Sequence, residues 1–130
     1  MSIDDRLAAA RTGLRRHDPQ EAAALQRDGA LLIDIRPRDD RAADGEIPDS
    51  IPVERIVLEW RLDPASAHRL PQVDAERPVV LLCNEGYASS LAARDLSELG
   101  LRHVGDLIGG FRAWRAAGLP VVDGGGPAVP

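Results

Sequence analysis

Cysteine is almost absent from this chain, because Cys83 is the only one among the 130 residues. A single cysteine cannot form an intramolecular disulfide, so the fold has to be stable without cross-links. Zinc sites that are built from several cysteines are excluded for the same reason.

Long apolar runs and clusters of positive charge are absent as well. No stretch approaches the roughly 20 apolar residues that cross a bilayer, and the charged segment Met1–Arg6 contains no apolar signal core. The formal net charge is −5, and the 16 basic residues, all arginines, are scattered. An acidic chain of this kind is a poor candidate for binding nucleic acid or an anionic membrane. We therefore expect a cytoplasmic protein in a reducing compartment, with neither nucleic acid nor a membrane as its partner.

The apolar residues that are present predict an α/β fold with helices on both faces of a parallel sheet. Residues 30–34 and 78–83 are nearly continuous apolar runs, as in strands that are buried on both faces. Strands that alternate with helices and short loops indicate a parallel sheet. Further predicted elements are helices over 3–15, 19–28, 54–60, 89–99 and 111–117, a strand over 103–108 and an extended piece at 51–53.

Other segments lack such patterns. Residues 36–50 are polar and predict a loop, Pro64 and Pro71 bracket a candidate small helix, and the glycine-rich end predicts a mobile tail. The expected organisation is therefore an N-terminal helical extension over 1–16, one domain over 17–122 and a tail over 123–130.

Cys83 stands where a predicted buried strand meets a short loop and the next helix. Ligands of parallel sheets bind outside the carboxyl ends of the strands. A helix that begins just after Cys83, with Ser89 as its candidate cap, would direct free N–H groups at the sulfur. Gly86 allows the tight turn that an anion nest requires, and a thiolate would be stabilised there. The spacing is equally compatible with a small buried hydrophobic residue that ends a strand.

Five segments, taken in order, resemble the motifs of the rhodanese family over roughly residues 17–122. Residues 83–93 resemble its active-site loop, commonly Cys-x-x-Gly-x-Arg-Ser, and the helix that follows. The other similar segments are Leu32–Arg36, Gly45–Ser50, Leu107–Trp114 and Gly118–Val121.

The resemblance implies sulfur transfer through a persulfide on Cys83. The acceptor would be a thiol or cyanide, the donor a small sulfane-sulfur compound or a protein persulfide, and no metal or organic cofactor is required. Loop amides would stabilise the sulfur anion in the manner of an oxyanion hole. The loop that the resemblance assigns to substrate and persulfide consists of Asn84, Glu85, Gly86, Tyr87, Ala88 and Ser89.

The sequence departs from the family pattern in the charge of this loop. Ala88 replaces the usual arginine and Glu85 adds a carboxylate, each change costing an anionic donor on the order of 1 kcal/mol. The expected donor is therefore less charged than thiosulfate. Arg55 and Arg61, which flank Trp60, are candidates for a replacement cation, and solvated surface arginines are the alternative for both.

Two other functions compete with sulfur transfer, and the loop departures favour only the first of them. One is a rhodanese-fold binding or sulfur-sensing module with weakened catalysis. The other is phosphate-ester or arsenate chemistry, which ranks below it because Ser89 stands where the family's phosphatase relatives carry their oxyanion-binding arginine. Outside the loop, Asp34 and Arg36 are interpreted as structural, and Trp114 as a core residue packed with Phe111 and Leu119. Glu46, Asp49 and Ser50 differ from the usual family residues, and we interpret these differences as mainly structural.

Overall fold

A five-stranded parallel sheet lies at the centre of the computed structural model, which describes residues 1–130. The strand order is β1-β5-β4-β2-β3, and a short 3-10 turn at Arg55–Val57 precedes the fourth helix. The elements in chain order are α1 Ile3–Arg11, β1 Arg15–His17, α2 Pro19–Arg27, β2 Leu31–Asp34, α3 Arg38–Asp44, β3 Ile51–Pro52, α4 Leu58–Leu62, β4 Val79–Leu82, α5 Ala88–Ser97, β5 Val104–Leu107 and α6 Gly110–Ala116.

Each face of the sheet carries its own apolar core, which confirms the predicted α/β architecture. Strands β2, β4 and β5 are buried along their whole length, as the nearly continuous apolar runs of β2 and β4 predict. Ile33 and Leu81 point into the larger core with α4 and α5. Leu32 and Leu82 point to the opposite face, where α2 and α6 contribute Ala22, Phe111 and Trp114. None of the helices has the length and apolar character needed to span a membrane.

Helix α2 begins where its sequence signals predict. Asp18 accepts a hydrogen bond from the Glu21 amide at 2.8 Å, and Pro19 occupies the first turn, where its missing N–H costs nothing. The hydrogen bond from the Glu21 backbone lowers the pKa of Asp18. The predicted core contact of Phe111, Trp114 and Leu119 is also confirmed.

The leading helix is shorter than predicted. It ends at Arg11, because Thr12 is extended and Gly13 has a φ of +72°. Residues 15–17 then form β1 and pair in parallel with residues 105–107 of β5. The polar sequence of β1 has no strand pattern of its own, and its conformation comes from pairing with its neighbour.

The prediction of a loop over 36–50 is wrong, because residues 38–44 form α3. This helix buries Arg41 completely rather than an apolar stripe, so the hydrophobic pattern on which a helix prediction depends is missing. Arg41 binds Glu46 at 3.1 Å and the Gly126 carbonyl at 2.9 Å. Two smaller expectations are wrong: no helix forms between Pro64 and Pro71, and α5 begins at Ala88 without a side-chain cap from Ser89.

The C-terminal residues lie along β3 and α3. The Val129 amide donates to the Pro52 carbonyl at 2.9 Å, and the Glu54 amide donates to the Val129 carbonyl at 3.0 Å. The Gly125 amide binds the Glu46 carboxylate at 2.8 Å. The mobility of 123–130 and the division of the chain at residues 16 and 122 stay predictions.

Helix α6 is fitted closely against the chain that leaves β4. Gly110 has a φ of +64°, and a Cβ atom there would lie 2.6 Å from the Cys83 and Asn84 carbonyl oxygens. The Phe111 amide donates to the Cys83 carbonyl at 2.8 Å, and the Arg112 amide to the Asn84 carbonyl at 3.1 Å. Glycine is therefore required at position 110 by both backbone conformation and space.

We expect Gly110→Ala to lower the free energy of unfolding by roughly 2–3 kcal/mol, because positive φ and backbone overlap both oppose it. Gly118→Ala is the matched control, since Gly118 has a φ of +75° but no atom lies within 4 Å of the position that a Cβ would take there. It should cost about 1 kcal/mol. Urea unfolding monitored by circular dichroism measures both. Equal losses for the two variants would contradict the close fit.

Candidate functional site

A cavity of about 340 Å³ opens above the carboxyl ends of β2 and β4. This is the edge of a parallel sheet at which ligands bind. Cys83 follows β4 directly and lies at this cavity with 8% of its surface exposed. The lining residues are Ile35, Arg36, Pro37, Arg55, Cys83, Asn84, Glu85, Tyr87 and Ala88.

Backbone donors converge on the sulfur of Cys83. The Gly86 amide lies 3.2 Å from Sγ and the Ser89 amide 3.4 Å from it. Ser89 belongs to the first turn of α5, where N–H groups have no partner within the helix. The arrangement favours negative charge on the sulfur through both hydrogen bonding and the helix dipole.

Gly86 gives the loop its shape. Its φ is +88°, and a Cβ atom would lie 2.8 Å from the Gly109 amide nitrogen. The loop therefore turns tightly against the start of α6, as the sequence predicts for an anion nest.

Two arginines hold the carbonyl oxygen of Gly86 from the opposite side. Arg11 Nη2 lies 2.7 Å from it and Arg16 Nη2 3.1 Å. Ser90 Oγ also lies 3.2 Å from this oxygen, but its single proton goes to the nearer Asp106 carboxylate at 2.8 Å. Arg11 comes from α1, and its guanidinium also stacks 5.6 Å from the centre of the Tyr87 ring. Sequence reasoning missed both arginines, because nothing in their local pattern indicates contact with a loop some 70 residues away.

A buried carboxylate, Asp106, lies beneath the same loop. It is fully inaccessible and accepts hydrogen bonds from the hydroxyls of Ser89 and Ser90, both at 2.8 Å. Arg16 Nε binds its other oxygen at 2.9 Å. Sequence reasoning missed Asp106 also, although a carboxylate within a short buried strand is a usable signal, because such groups are rarely buried without a partner.

Arg36 borders the cavity with its charge already neutralised. It is 3% exposed, its Nη2 lies 2.8 Å from Asp34 Oδ2, and its guanidinium lies 3.9 Å from the centre of the Phe111 ring. Burial of the Arg36–Asp34 pair agrees with the structural role predicted for it. Arg36 also lines the cavity together with Cys83, at the neighbouring strand end.

Of the two candidate replacement cations, only Arg55 reaches the cavity. Its Nη1 binds both oxygens of Glu59, at 2.9 and 3.0 Å, and its Nη2 lies 3.6 Å from Asp95. Arg61 is instead bound to the carbonyl oxygens of His68 and Pro130.

The remaining loop side chains lie at the rim. Glu85 pairs with Arg112 at 2.9 Å, and both side chains are more than half exposed. Asn84 donates to Asp40 at 3.2 Å, and Tyr87 is largely exposed. The negative charge of Glu85 is therefore partly offset, more than the loop sequence alone indicates.

Known proteins share both the sequence and the fold. The sequence model of the rhodanese-like domain matches residues 18–117. The thiosulfate sulfurtransferase GlpE of Pseudomonas savastanoi pv. phaseolicola is 31% identical over 105 residues, which cover 81% of this chain and 91% of GlpE. The GlpE protein of Coxiella burnetii is 35% identical over 83 residues, covering 63% and 78% respectively.

Two solved structures agree with this assignment of the fold. A protein of Rhodopseudomonas palustris, described as a possible tyrosine phosphatase, is 34% identical with a TM-score of 0.82, covering 94% of this chain and 95% of its own. The polysulfide-sulfur transferase homodimer of Wolinella succinogenes is 27% identical with a TM-score of 0.74, covering 93% and 87%. The chain belongs to the rhodanese-like domain family.

Proposed function

We propose that this protein is a rhodanese-type sulfurtransferase that carries sulfane sulfur as a persulfide on Cys83 and passes it to a thiol or to cyanide. The observation that carries the proposal is the convergence of the Gly86 and Ser89 amides on Sγ. Two donors aimed at one sulfur stabilise an anion, and both the thiolate and the persulfide are anions. The names of the GlpE relatives and of the Wolinella protein support the same reaction class.

The reaction has two nucleophilic steps. The Cys83 thiolate attacks the outer sulfur of the donor, a new S–S bond forms, and the donor's own bond to that sulfur breaks with departure of its electron pair. The acceptor thiolate or cyanide then attacks the outer sulfur of the persulfide, and the Cys83 thiolate leaves. The cavity above Cys83 gives both small molecules access to the sulfur.

Replacement of Cys83 tests the reaction. Cys83→Ala should abolish transfer from thiosulfate, mercaptopyruvate and polysulfide to cyanide, since no other cysteine exists. Mass spectrometry of the donor-treated wild-type protein should show one added sulfur on Cys83. If the wild type and the variant are equally inactive with every donor, the enzymatic proposal fails. An unmodified, unreactive thiol in protein taken from cells would favour a docking module.

The charges around the cavity support a donor that is less anionic than thiosulfate. Arg36 is neutralised by Asp34, and Arg55 faces both Glu59 and Asp95. Both arginines are paired with carboxylates, although Arg36 Nη1 has no hydrogen-bond partner, and Ala88 supplies no charge from the loop. Polysulfide or a protein persulfide would therefore suit the site better, and this separates the chain from relatives that are named for thiosulfate.

Addition of the missing cation should reverse this preference. We expect Ala88→Arg to raise kcat/KM for thiosulfate several-fold, on the order of 1 kcal/mol at a partly exposed site, with a smaller change for polysulfide. Ala88→Gln is the control, because it adds a polar, hydrogen-bonding side chain without charge. Steady-state rates at low and high salt measure the effect. Equal changes for Arg and Gln would argue against charge as the determinant.

Replacement of Arg55, the cation at the rim of the cavity, should lower the rate with thiosulfate. Arg55→Gln leaves Glu59 and Asp95 uncompensated beside the cavity, so the rate with thiosulfate should fall several-fold, again on the order of 1 kcal/mol. Arg61→Gln is the matched control, since Arg61 is bound elsewhere. The comparison of kcat/KM for the two variants decides whether Arg55 is the accessory cation, and equal losses would exclude it.

Phosphate-ester chemistry is a poorer fit. Ser89 occupies the position at which phosphatase relatives have an oxyanion-binding arginine, and its hydroxyl is bound to the buried Asp106 carboxylate.

The cytoplasmic location belongs to the same proposal. A reducing compartment keeps a lone thiol available for sulfur transfer, and Cys83 is a free cysteine.

A further inference from the structure

The hydroxyl of Ser89 lies between the reactive sulfur and a buried carboxylate. Ser89 Oγ is 3.3 Å from Cys83 Sγ and 2.8 Å from Asp106 Oδ2. The same carboxylate oxygen accepts the hydroxyl of Ser90 at 2.8 Å. All four side chains are buried, so water does not compete for these hydrogen bonds.

The chemistry of the carboxylate fixes the direction of the Ser89 hydroxyl. An ionised carboxylate accepts hydrogen bonds and donates none, and Arg16 is the counterion of Asp106 at 2.9 Å. Ser89 must therefore donate its single proton to Asp106. Only a lone pair then faces Sγ, which suits the S–H group of a thiol and opposes the negative charge of a thiolate.

An ionised sulfur requires the opposite orientation. When Cys83 loses its proton, Ser89 can stabilise the anion only if its O–H turns from Asp106 to Sγ. Asp106 then keeps the hydrogen bond from Ser90 and the ion pair with Arg16. This second serine lowers the free energy that the turn requires, because the buried carboxylate never loses all its donors.

We propose that Asp106 is a positioning residue that sets the orientation of the Ser89 hydroxyl and thereby controls how readily Cys83 ionises. With the proton of Ser89 on Asp106 the thiol form is favoured; with that proton on Sγ the anion is favoured. The thiol proton leaves to water in the cavity, and only the S–H bond breaks. The inference rests on the proposed function only in its choice of Cys83 as the reactive group.

Other charged and titratable groups surround the sulfur. Arg36, Arg55, Glu85 and Tyr87 line the cavity with it, and Arg11 and Arg16 bind the Gly86 carbonyl beneath the loop. None of them forms a hydrogen bond with Ser89 Oγ. Their charges act on the sulfur whichever way the Ser89 hydroxyl points, whereas Asp106 and Ser90 act through that hydroxyl.

The test is the pH dependence of Cys83 alkylation by iodoacetamide. In Asp106→Asn the amide is a weaker acceptor, so the Ser89 proton becomes available to Sγ and the midpoint should fall by about half a pH unit or more. Ser90→Ala should raise the midpoint, because Asp106 then depends more strongly on Ser89. Since loss of the Asp106 charge alone would also lower the midpoint, both substitutions are repeated in a Ser89→Ala background.

Without the Ser89 hydroxyl, the Asp106→Asn shift should shrink by at least half and the Ser90→Ala shift should vanish. Equal Asp106→Asn shifts in the two backgrounds would overturn the proposal and leave a simple charge effect. If circular dichroism shows that Asp106→Asn does not fold, the Ser90→Ala comparison alone decides. The proposal is overturned if Ser90→Ala does not shift the midpoint, or if it shifts the midpoint equally in the Ser89→Ala background. Alkylation requires no sulfur transfer, so this result is independent of whether the protein proves to be a sulfurtransferase.

Discussion

The position of the loop at Cys83 depends on one buried charge, the carboxylate of Asp106. A carboxylate removed from water is strongly unfavourable unless its oxygens are paired and hydrogen-bonded. Here the partners come from two other elements of the chain, since Arg16 belongs to β1 and Ser89 and Ser90 to α5. The cost of leaving this charge unpaired therefore links the edge strand, the central sheet and the helix that follows Cys83.

On the side of α6 the same loop is held by backbone hydrogen bonds and, at the rim, by the exposed Glu85–Arg112 ion pair. The amides of Phe111 and Arg112 bind the carbonyls of Cys83 and Asn84, and Gly110 allows the approach. Below the loop, side chains of opposite charge meet. The sulfur thus lies between a neutral backbone contact and an ionic cluster, and two amides are the only backbone donors aimed at it. This explains how a site with little free positive charge can still favour an anionic sulfur.

The sequence predicts the fold and the place of Cys83 well, because both depend on local patterns. Continuous apolar runs mark β2 and β4, and the positive φ of Gly86 follows from its place in the loop. Prediction fails where long-range pairing decides the structure. Strand β1 exists because β5 lies beside it, and α3 is built around the buried Arg41, which hydrophobic periodicity cannot register. The contacts of Asp106 reach residues that precede it by 16, 17 and 90 positions, beyond the reach of any local motif.

The C-terminal residues have a consequence for association between copies. A parallel sheet of five strands has two free edges, and unpaired edge groups are templates for pairing with other chains. On one side Val129 takes up the Pro52 carbonyl and the Glu54 amide, so these groups are no longer available. On the other side β1 is only three residues long and carries the exposed Arg15, whose charge opposes pairing with the edge of another sheet. The two edges are thus protected against aggregation by different means: the C-terminal residues cover the β3 edge, and charge repulsion protects the β1 edge.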